Sequence, residues 1–261
     1  MLLSLRIFTA TFIYSTYINL HMAEKIRFFP MYITYKVIGD RAVIFLFGRT
    51  IDGKQICVTD SSFEPYFYVI PKKGHDIKEK LKKLRIEKEN NISYVTKIEE
   101  VKKNFLGKEV RAIKVYANLP KSIPVLREVV KVWESIDSIN EYDILFTRKY
   151  LIDKDITPMT LVEVEGNASR QKFKVPVVNA ISVKQFSDDT IKNPRILAFD
   201  IETYNPLGKQ VVPEQNPIIM VGFAGENFKK VITWKHFKTD EKFIEFVNSE
   251  AQLLNLSLIH I

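Results

Sequence analysis

The sequence contains few of the residues that build disulfide frameworks and zinc modules. Among 261 residues there is one cysteine, Cys57, and the four histidines show no metal-ligand spacing. An internal disulfide framework and a cysteine-rich zinc module are therefore excluded, and the single thiol fits a reducing compartment. Cys57 has no local signature of a catalytic nucleophile, and neither a P-loop nor a dinucleotide-binding fingerprint occurs.

Glycine and proline are also scarce. With 9 Gly, 11 Pro and 12% aromatic residues, the chain is not collagenous, low-complexity or disordered, because such sequences lack the apolar surface that offsets chain entropy. The 46% of hydrophobic residues suffice for one or two cores. The net charge of +8 favours polyanionic partners, since Lys and Arg displace the counterions of phosphates. By itself this excess indicates nucleic acid only weakly.

The two ends of the chain do not match a folded domain. Residues 1–21 are mostly apolar with one Arg. A signal peptide fits poorly, because it needs a small-residue cleavage site. A membrane span also fits poorly, because it tolerates fewer polar residues. We favour a third interpretation, translation upstream of a true start at Met22. Residues 251–261 are expected to be an artefactual tail, because Leu256–Ile261 resembles the conceptual translation of a sequencing adapter.

The pattern between the ends predicts an α+β domain over residues 22–159. Strand-like runs fill 31–70, with a hairpin signal at Asp52–Gly53, and return at 92–98 and 109–117. Apolar residues at helical spacing predict helices over 76–89 and 122–135. The basic cluster in the first of these helices is interpreted as a solvated face.

A second domain is predicted after a connecting segment, residues 160–194, that ends at Pro194. Residues 195–250 contain three strand-like runs followed by an amphipathic pattern, TDEKFIEFVNS, which predicts a helix over 239–249. This order is typical of the start of an RNase H-like α/β fold.

Two carboxylates lie at the end of the first predicted strand of this second domain. The run Ile-Leu-Ala-Phe is typical of a buried strand, and alternation sends Asp200 and Glu202 to the same face. Such a pair repels itself unless cations lie between the oxygens, and Mg²⁺ or Mn²⁺ prefers oxygen ligands. The alternative is a solvated pair at a strand end, since D-x-E is common. An acid pair at the end of an apolar strand favours the metal site.

Seven short motifs then follow one another along the chain. They are Phe63–Tyr68, Lys103–Lys108, Glu141–Phe146, Arg148–Asp153, Pro158–Met159, Phe199–Thr203 and Val231–Lys235. In this order they resemble the archaeal-type family B DNA polymerases. The resemblance extends from about Met31 to about Val247, apart from much of 163–193, and the ordered set is far more specific than any one motif.

The resemblance implies an N-terminal domain followed by the start of a proofreading 3'→5' exonuclease domain. Asp200 and Glu202 match the family's first exonuclease motif, whose carboxylates hold two catalytic metals, Mg²⁺ or Mn²⁺. The family's later exonuclease motifs, N-x-x-x-F-D and Y-x-x-x-D, do not occur after residue 203, and the polymerase carboxylates are absent. We therefore expect this polypeptide alone neither to polymerise nor to proofread. For the whole enzyme the resemblance implies primer-template DNA, single-stranded template, dNTPs and a sliding clamp as partners, a cytoplasmic, nucleoid-associated location and no membrane.

The same family carries a template-uracil pocket in its N-terminal domain. Motif by motif, the positions that line it fall on Tyr32, Pro65, Tyr66, Ile123, Ile144, Phe146 and Lys149. An apolar and aromatic slot of this kind stacks a flipped base and excludes the methyl group of thymine. Lys149 stands where the family usually has Arg, and Leu145 where it usually has Pro. The alternative is that these aromatic residues are the core of a small β-rich domain.

Three functions therefore compete. The first is the amino-terminal part of a replicative DNA polymerase, the second a non-catalytic module that binds single-stranded nucleic acid, and the third a dedicated exonuclease. The binding module is expected to be indifferent to Mg²⁺ and to Asp200→Ala, whereas a two-metal site loses metal affinity with that change.

Overall fold

The computed structural model describes residues 23–88, 91–169 and 173–260, so the predicted leader, residues 1–21, lies outside it. The chain divides into two compact units, with the division between Ile191 and Lys192. Strands predominate: the described residues contain fourteen strands and four helices. None of these helices is long and apolar enough to cross a membrane.

The first unit contains a closed five-stranded barrel with strand order β1-β2-β3-β10-β9. Its strands are β1 (Glu24–Ile38), β2 (Arg41–Thr50), β3 (Gln55–Asp60), β9 (Thr160–Ala168) and β10 (Val177–Thr190). The predicted Asp52–Gly53 hairpin is confirmed, since β2 and β3 pair antiparallel on either side of it. Gly53 adopts φ +83°, which glycine reaches without steric cost. Inward residues such as Phe28, Leu46 and Val162 are fully buried.

The segment that we interpreted as a connection, residues 160–194, therefore contributes two barrel strands. β9 pairs antiparallel with β1 and β10, and β10 pairs parallel with β3 through Val177–Asn179. The partner strands β1 and β3 lie more than 100 residues away along the chain, and such non-local pairing leaves no signal in local composition. The run LVEVE does alternate as a strand does, and it faces the barrel core through Val162 and Val164.

A second sheet of the first unit has the order β5-β6-β7-β4-β8. Its elements are β4 (Tyr66–Pro71), α1 (Lys78–Lys82), β5 (Arg85–Lys88), β6 (Asn91–Phe105), β7 (Lys108–Ala117), α2 (Ser122–Val130) and β8 (Ile136–Asn140). Helices α1 and α2 contribute buried residues, among them Leu81, Leu126 and Val130, to one core with the sheet residues Phe67 and Val115. A third helix, α3 (Phe146–Asp153), contributes to the barrel core.

The helix predicted over 76–89 is mostly wrong. Only Lys78–Lys82 is helical, and Arg85–Lys88 pairs with β6 as a strand. Leu81 is fully buried, as the helical spacing requires. The residues of β5, which follow the helix, form their backbone hydrogen bonds in the sheet and not in a continued helix. The helix predicted over 122–135 ends earlier, at Val130.

The second unit is a four-stranded sheet of order β11-β12-β13-β14 with one helix. Its elements are β11 (Leu197–Thr203), β12 (Ile218–Gly225), β13 (Phe228–Thr233), β14 (Ile244–Phe246) and α4 (Glu250–His260). The first three strands are antiparallel, and β14 pairs parallel with β13. The helix predicted over 239–249 is wrong, because Ile244–Phe246 pairs with Val231–Thr233 as a strand. Helix α4 begins at Glu250, directly before the segment expected to be a tail (residues 251–261), and its Leu253 is fully buried.

The apolar strand that carries the acid pair is not buried in this structure. β11 forms the edge of its sheet, and Leu197, Phe199 and Ile201 are 39%, 57% and 46% exposed. The core of this unit instead lies around Phe223, Ile232 and Leu253, on the strands nearer to α4. The expectation of a buried strand is therefore corrected: its composition fits burial, but no described element covers it.

Candidate nucleic-acid interface and carboxylate pair

A cavity of about 260 Å³ lies in the first unit between β1, β4 and the amino-terminal ends of α2 and α3. Its lining consists of Tyr35, Tyr66, Pro120, Lys121, Ile123, Tyr142, Asp143, Ile144, Leu145, Phe146, Thr147 and Lys149. Apolar and aromatic side chains predominate, with a small number of charged groups. This size and composition suit one small planar group, because pockets for drug-sized ligands begin at about 300 Å³.

The aromatic wall of the cavity is held by ring contacts. The edge of Tyr35 on β1 meets the Phe146 ring, with centroids 5.2 Å apart, and Phe63 packs on Phe146 at the same distance. Phe146 opens helix α3 and is 7% exposed, so its ring position is fixed by the barrel core. Tyr35 is 37% exposed and therefore presents part of its ring to solvent.

Tyr66 forms the base of the cavity and is almost fully buried. Its hydroxyl donates to the Asp153 carboxylate, with both oxygens 2.7 Å away. Desolvation raises the pKa of Tyr66 far above its usual range, and the hydrogen bond to Asp153 adds to this. The phenol is therefore neutral, and it ties strand β4 to the end of helix α3.

Lys149 is buried beneath the cavity rather than exposed to a ligand. Its ammonium donates to the carbonyl oxygens of Tyr66 and Glu141, each at 2.9 Å, and lies 3.2 Å from the Glu141 carboxylate. The ammonium also lies 3.7 Å from the centre of the Tyr66 ring. Desolvation lowers the pKa of Lys149 to about 8, although Glu141 opposes the shift. Lys149 thus fixes the loop that carries Ile144 and Leu145 against strand β4.

Leu145 precedes helix α3 at the rim of the cavity. Its φ of −53° and ψ of 137° lie in the polyproline region, and its side chain is 72% exposed. Its carbonyl accepts the Lys149 N–H at 2.9 Å, which begins the helix. A proline ring would fit this backbone, so leucine here preserves the loop conformation that proline prefers.

The cavity brings together five of the seven residues predicted for the uracil pocket: Tyr66, Ile123, Ile144, Phe146 and Lys149. Two others lie elsewhere. Pro65 lines a different cavity and its carbonyl accepts the Ala117 N–H at 2.8 Å. Tyr32 is 63% exposed on the barrel, with its ring 6.2 Å from that of Phe47.

Tyr35 takes the place at the cavity that the sequence comparison gave to Tyr32. In the structure Tyr35 pairs with Ile44 and Tyr32 with Phe47. Tyr142, whose ring lies 4.3 Å from the Arg127 guanidinium, was also missed, although it belongs to the EYDILF motif.

The carboxylate pair lies in the second unit. Asp200 and Glu202 are two residues apart on β11, so they share one face with Cα atoms about 6.6 Å apart. Both are exposed, and the Asp200 carboxylate accepts the Ile201 N–H at 2.9 Å. Within the described residues the Glu202 carboxylate has no hydrogen-bond or ion-pair partner.

The surroundings of the pair leave room for a cation. Gly222 lies directly opposite Asp200 on β12, and a Cβ built there would meet nothing within 4 Å. Two unpaired carboxylates beside open space suit a hard divalent ion, which takes oxygen ligands. In the described part of the chain, however, no group of three or more His, Cys, Asp or Glu side chains could hold a metal. The pair thus supplies part of a ligand set.

The chain is similar to known proteins. Residues 138–261 match the model of the DNA polymerase family B exonuclease domain. Together with the relatives that follow, this match shows that the chain is similar to the family B DNA polymerases over most of its length. It is similar to a DNA polymerase of Methanocaldococcus jannaschii, at 36% identity over 85% of this chain and 12% of the relative. A DNA polymerase of Pyrococcus glycovorans is 34% identical over 75% of this chain and 21% of the relative.

Solved structures give the same result. The family B DNA polymerase of the hyperthermophilic archaeon Pyrobaculum calidifontis matches 83% of this chain and 28% of its own, with a TM-score of 0.63 and 26% identity. The chain thus spans about an eighth to a fifth of the curated relatives it matches. The resemblance drawn from the seven motifs is confirmed.

Proposed function

We propose that this chain is the amino-terminal region of a replicative DNA polymerase with a 3'→5' proofreading exonuclease. The observation that carries the proposal is the position of Asp200 and Glu202 on one face of β11, inside the segment that matches the exonuclease family model. Three antiparallel strands, a fourth parallel strand and a helix support the proposal that this unit opens an RNase H-like domain. The whole enzyme would act on primer-template DNA and dNTPs, with a sliding clamp, at the nucleoid.

The carboxylate pair would hold Mg²⁺ or Mn²⁺ for the editing reaction. Such a cation supplies Lewis-acid chemistry to a phosphodiester and to the attacking water. Asp200 and Glu202 contribute the ligand oxygens, and Gly222 keeps the space beside Asp200 free of a side chain. Two carboxylates are an incomplete cage, so this polypeptide alone neither edits nor polymerises.

Metal binding by the purified chain tests this role. In a Mn²⁺ titration followed by electron paramagnetic resonance, we expect weak binding that Asp200→Ala and Glu202→Gln abolish. Glu226→Ala, which removes an exposed acid from the β12–β13 turn of the same unit, is the matched control and should bind as the wild type does. Equal Mn²⁺ affinity in the wild type and Asp200→Ala would refute the metal role. Release of a labelled 3' nucleotide by nuclease-free chain would refute its inactivity.

A second function, recognition of uracil in the single-stranded template, is supported by the 260 Å³ cavity. Tyr35 and Tyr32 provide a matched pair of variants, since both are partly exposed tyrosines of β1 but only Tyr35 lines the cavity. Tyr35→Ala should weaken binding of a uracil-containing oligonucleotide about tenfold, because one base–aromatic contact is lost. Tyr32→Ala should not change it, and both variants should bind the matching thymine strand as the wild type does. Equal losses with the two variants would contradict this assignment.

A further inference from the structure

The hairpin between β6 and β7 ends in a turn with an unfavourable residue. Leu106 and Gly107 form its two-residue loop, and both have positive φ, 50° and 79°. Two consecutive positive φ values define a type I′ turn, for which Asn-Gly is the preferred sequence. A bulky leucine is disfavoured in the left-handed region, where Asn is tolerated. The fold itself therefore gives no reason for leucine here.

The side chains of the turn do not pack into the protein. Leu106 is 88% exposed, and the adjacent Phe105 is 37% exposed. Exposure of two large apolar side chains to water at the tip of a long hairpin is energetically unfavourable. A strained residue that has no folding role points to a contact outside the chain.

The charges on the hairpin show which kind of partner fits. Phe105 pairs with Lys108 and Lys103 with Val110, so both lysines share one face with Phe105. Among the described residues neither lysine has an ion-pair partner, although Lys103 lies 4.6 Å from the centre of the Tyr68 ring. On the opposite face the cations are neutralised: Lys102 pairs with Glu109, and Arg111 pairs with Glu100.

The net positive charge of the chain lies in the same unit as this hairpin. Residues 192–261 contain eight Lys or Arg and eight Asp or Glu, so the net charge of +8 lies entirely within residues 1–191. A basic face beside exposed apolar side chains fits a polyanion whose bases are unpaired, because the faces of unpaired bases stack on aromatic side chains such as Phe105 and lysines contact the phosphates.

We propose that the tip of the β6–β7 hairpin is a binding site for single-stranded DNA. Leu106 and Phe105 contact unstacked bases, and Lys103 and Lys108 contact the flanking phosphates. The site is separate from the 260 Å³ cavity, whose lining includes none of these four residues. This inference rests on the proposed template-binding function and extends it to a second contact surface.

The test uses Leu106→Asn in the full chain. Asn-Gly suits the type I′ turn, so the variant should fold at least as stably as the wild type while it loses the apolar contact. In fluorescence anisotropy with 5'-labelled thymidine 30-mer, its dissociation constant should rise about tenfold. Ile51→Asn, which removes a 64%-exposed apolar side chain from the β2–β3 turn, is the matched control and should bind normally. Lys108→Ala should lower the slope of log affinity against log salt by about 0.7.

The outcomes separate this inference from the proposed function. If the wild type binds no single-stranded DNA, template binding by this chain fails as well. If the wild type binds and Leu106→Asn binds equally, only the hairpin site is overturned, and a protein partner becomes the occupant to test. Equal weakening of single-stranded and blunt duplex DNA by Leu106→Asn would also overturn it, because a duplex offers no unstacked base.

Discussion

The buried ammonium of Lys149 predicts an unusual dependence of stability on pH. In the folded chain desolvation lowers its pKa from 10.5 to about 8, whereas in the unfolded chain the side chain titrates near its ordinary value. Between these two values the unfolded state binds one proton more than the folded state. Stability conferred through this group therefore rises with pH, by about 1.4 kcal/mol per unit in the middle of the window. From pH 7 to pH 9.5 the gain amounts to about 2 kcal/mol.

Other groups titrate in the same range with the opposite sign. Burial raises the pKa of Cys57 to about 11 from 9.0, and it raises the pKa of Tyr150 above its usual range. A raised pKa confers stability below the unfolded value that is lost as pH rises. The measurement is therefore a difference between the wild type and Lys149→Met, in which these contributions cancel.

Urea unfolding measured at pH 7, 8, 9 and 9.5 checks the prediction. A Trp234→Phe background leaves Trp133 as the fluorescent reporter of the first unit, since the chain has two tryptophans. Between pH 7 and pH 9.5, the difference in free energy of unfolding between the wild type and Lys149→Met should shift by about 2 kcal/mol in favour of the wild type. Lys149→Arg should also lack the gain, because a guanidinium stays charged. Parallel pH profiles for the wild type and Lys149→Met would show that the ammonium is not desolvated, and the account of this residue would be wrong.

Three further changes test the packing. Leu145→Pro should stabilise the chain by about 0.4–1 kcal/mol, because its φ already suits proline and the unfolded chain loses freedom; a lower melting temperature would contradict this. Gly48→Ala should destabilise the barrel by about 1–3 kcal/mol in urea unfolding, since its Cβ would overlap the Phe29 carbonyl, whereas Gly222→Ala, with open space around it, should cost much less. Leu253→Ala should destabilise the second unit by about 2–5 kcal/mol, as reported by Trp234 fluorescence, and a neutral result would mean that α4 does not pack on the sheet.

The sequence predicted the elements whose pattern is local. The β-branched and aromatic runs and the Asp52–Gly53 turn were sufficient for β2 and β3, and the motif order was sufficient for the family. Helical spacing misled at FIEFV, because Phe243, Ile244, Phe246 and Val247 fit a helical face and a short strand equally well. The strand formed because β13 offers a parallel partner at Val231–Thr233. That partner is set by the tertiary fold and cannot be inferred from a window of eleven residues.

The candidate sites divide in the same way. Asp200 and Glu202 share a face because the strand period is two, which any strand model of FDIET requires. The cavity residues come from four separate elements, so their assignment depended on the family motifs. It named Tyr32, whereas the structure places Tyr35, which pairs with Ile44 on β2, in the lining of the cavity. The buried position of Lys149 was likewise invisible, since lysine is almost always exposed.

Under the proposed function, the distribution of charge predicts different roles toward DNA for the two units. Phosphate attraction is sequence-independent and scales with the number of lysines and arginines that neutralise phosphates. Under the proposed function, affinity for a strand would therefore come from residues 1–191, which carry the whole net charge. The second unit is neutral and presents two unpaired carboxylates on β11, which repel a phosphodiester. A divalent cation reverses that repulsion at the point where chemistry would occur. Removing metal with a chelator should therefore leave binding of single-stranded DNA by this chain unchanged, and a large loss of affinity would place the DNA contact at the carboxylates instead.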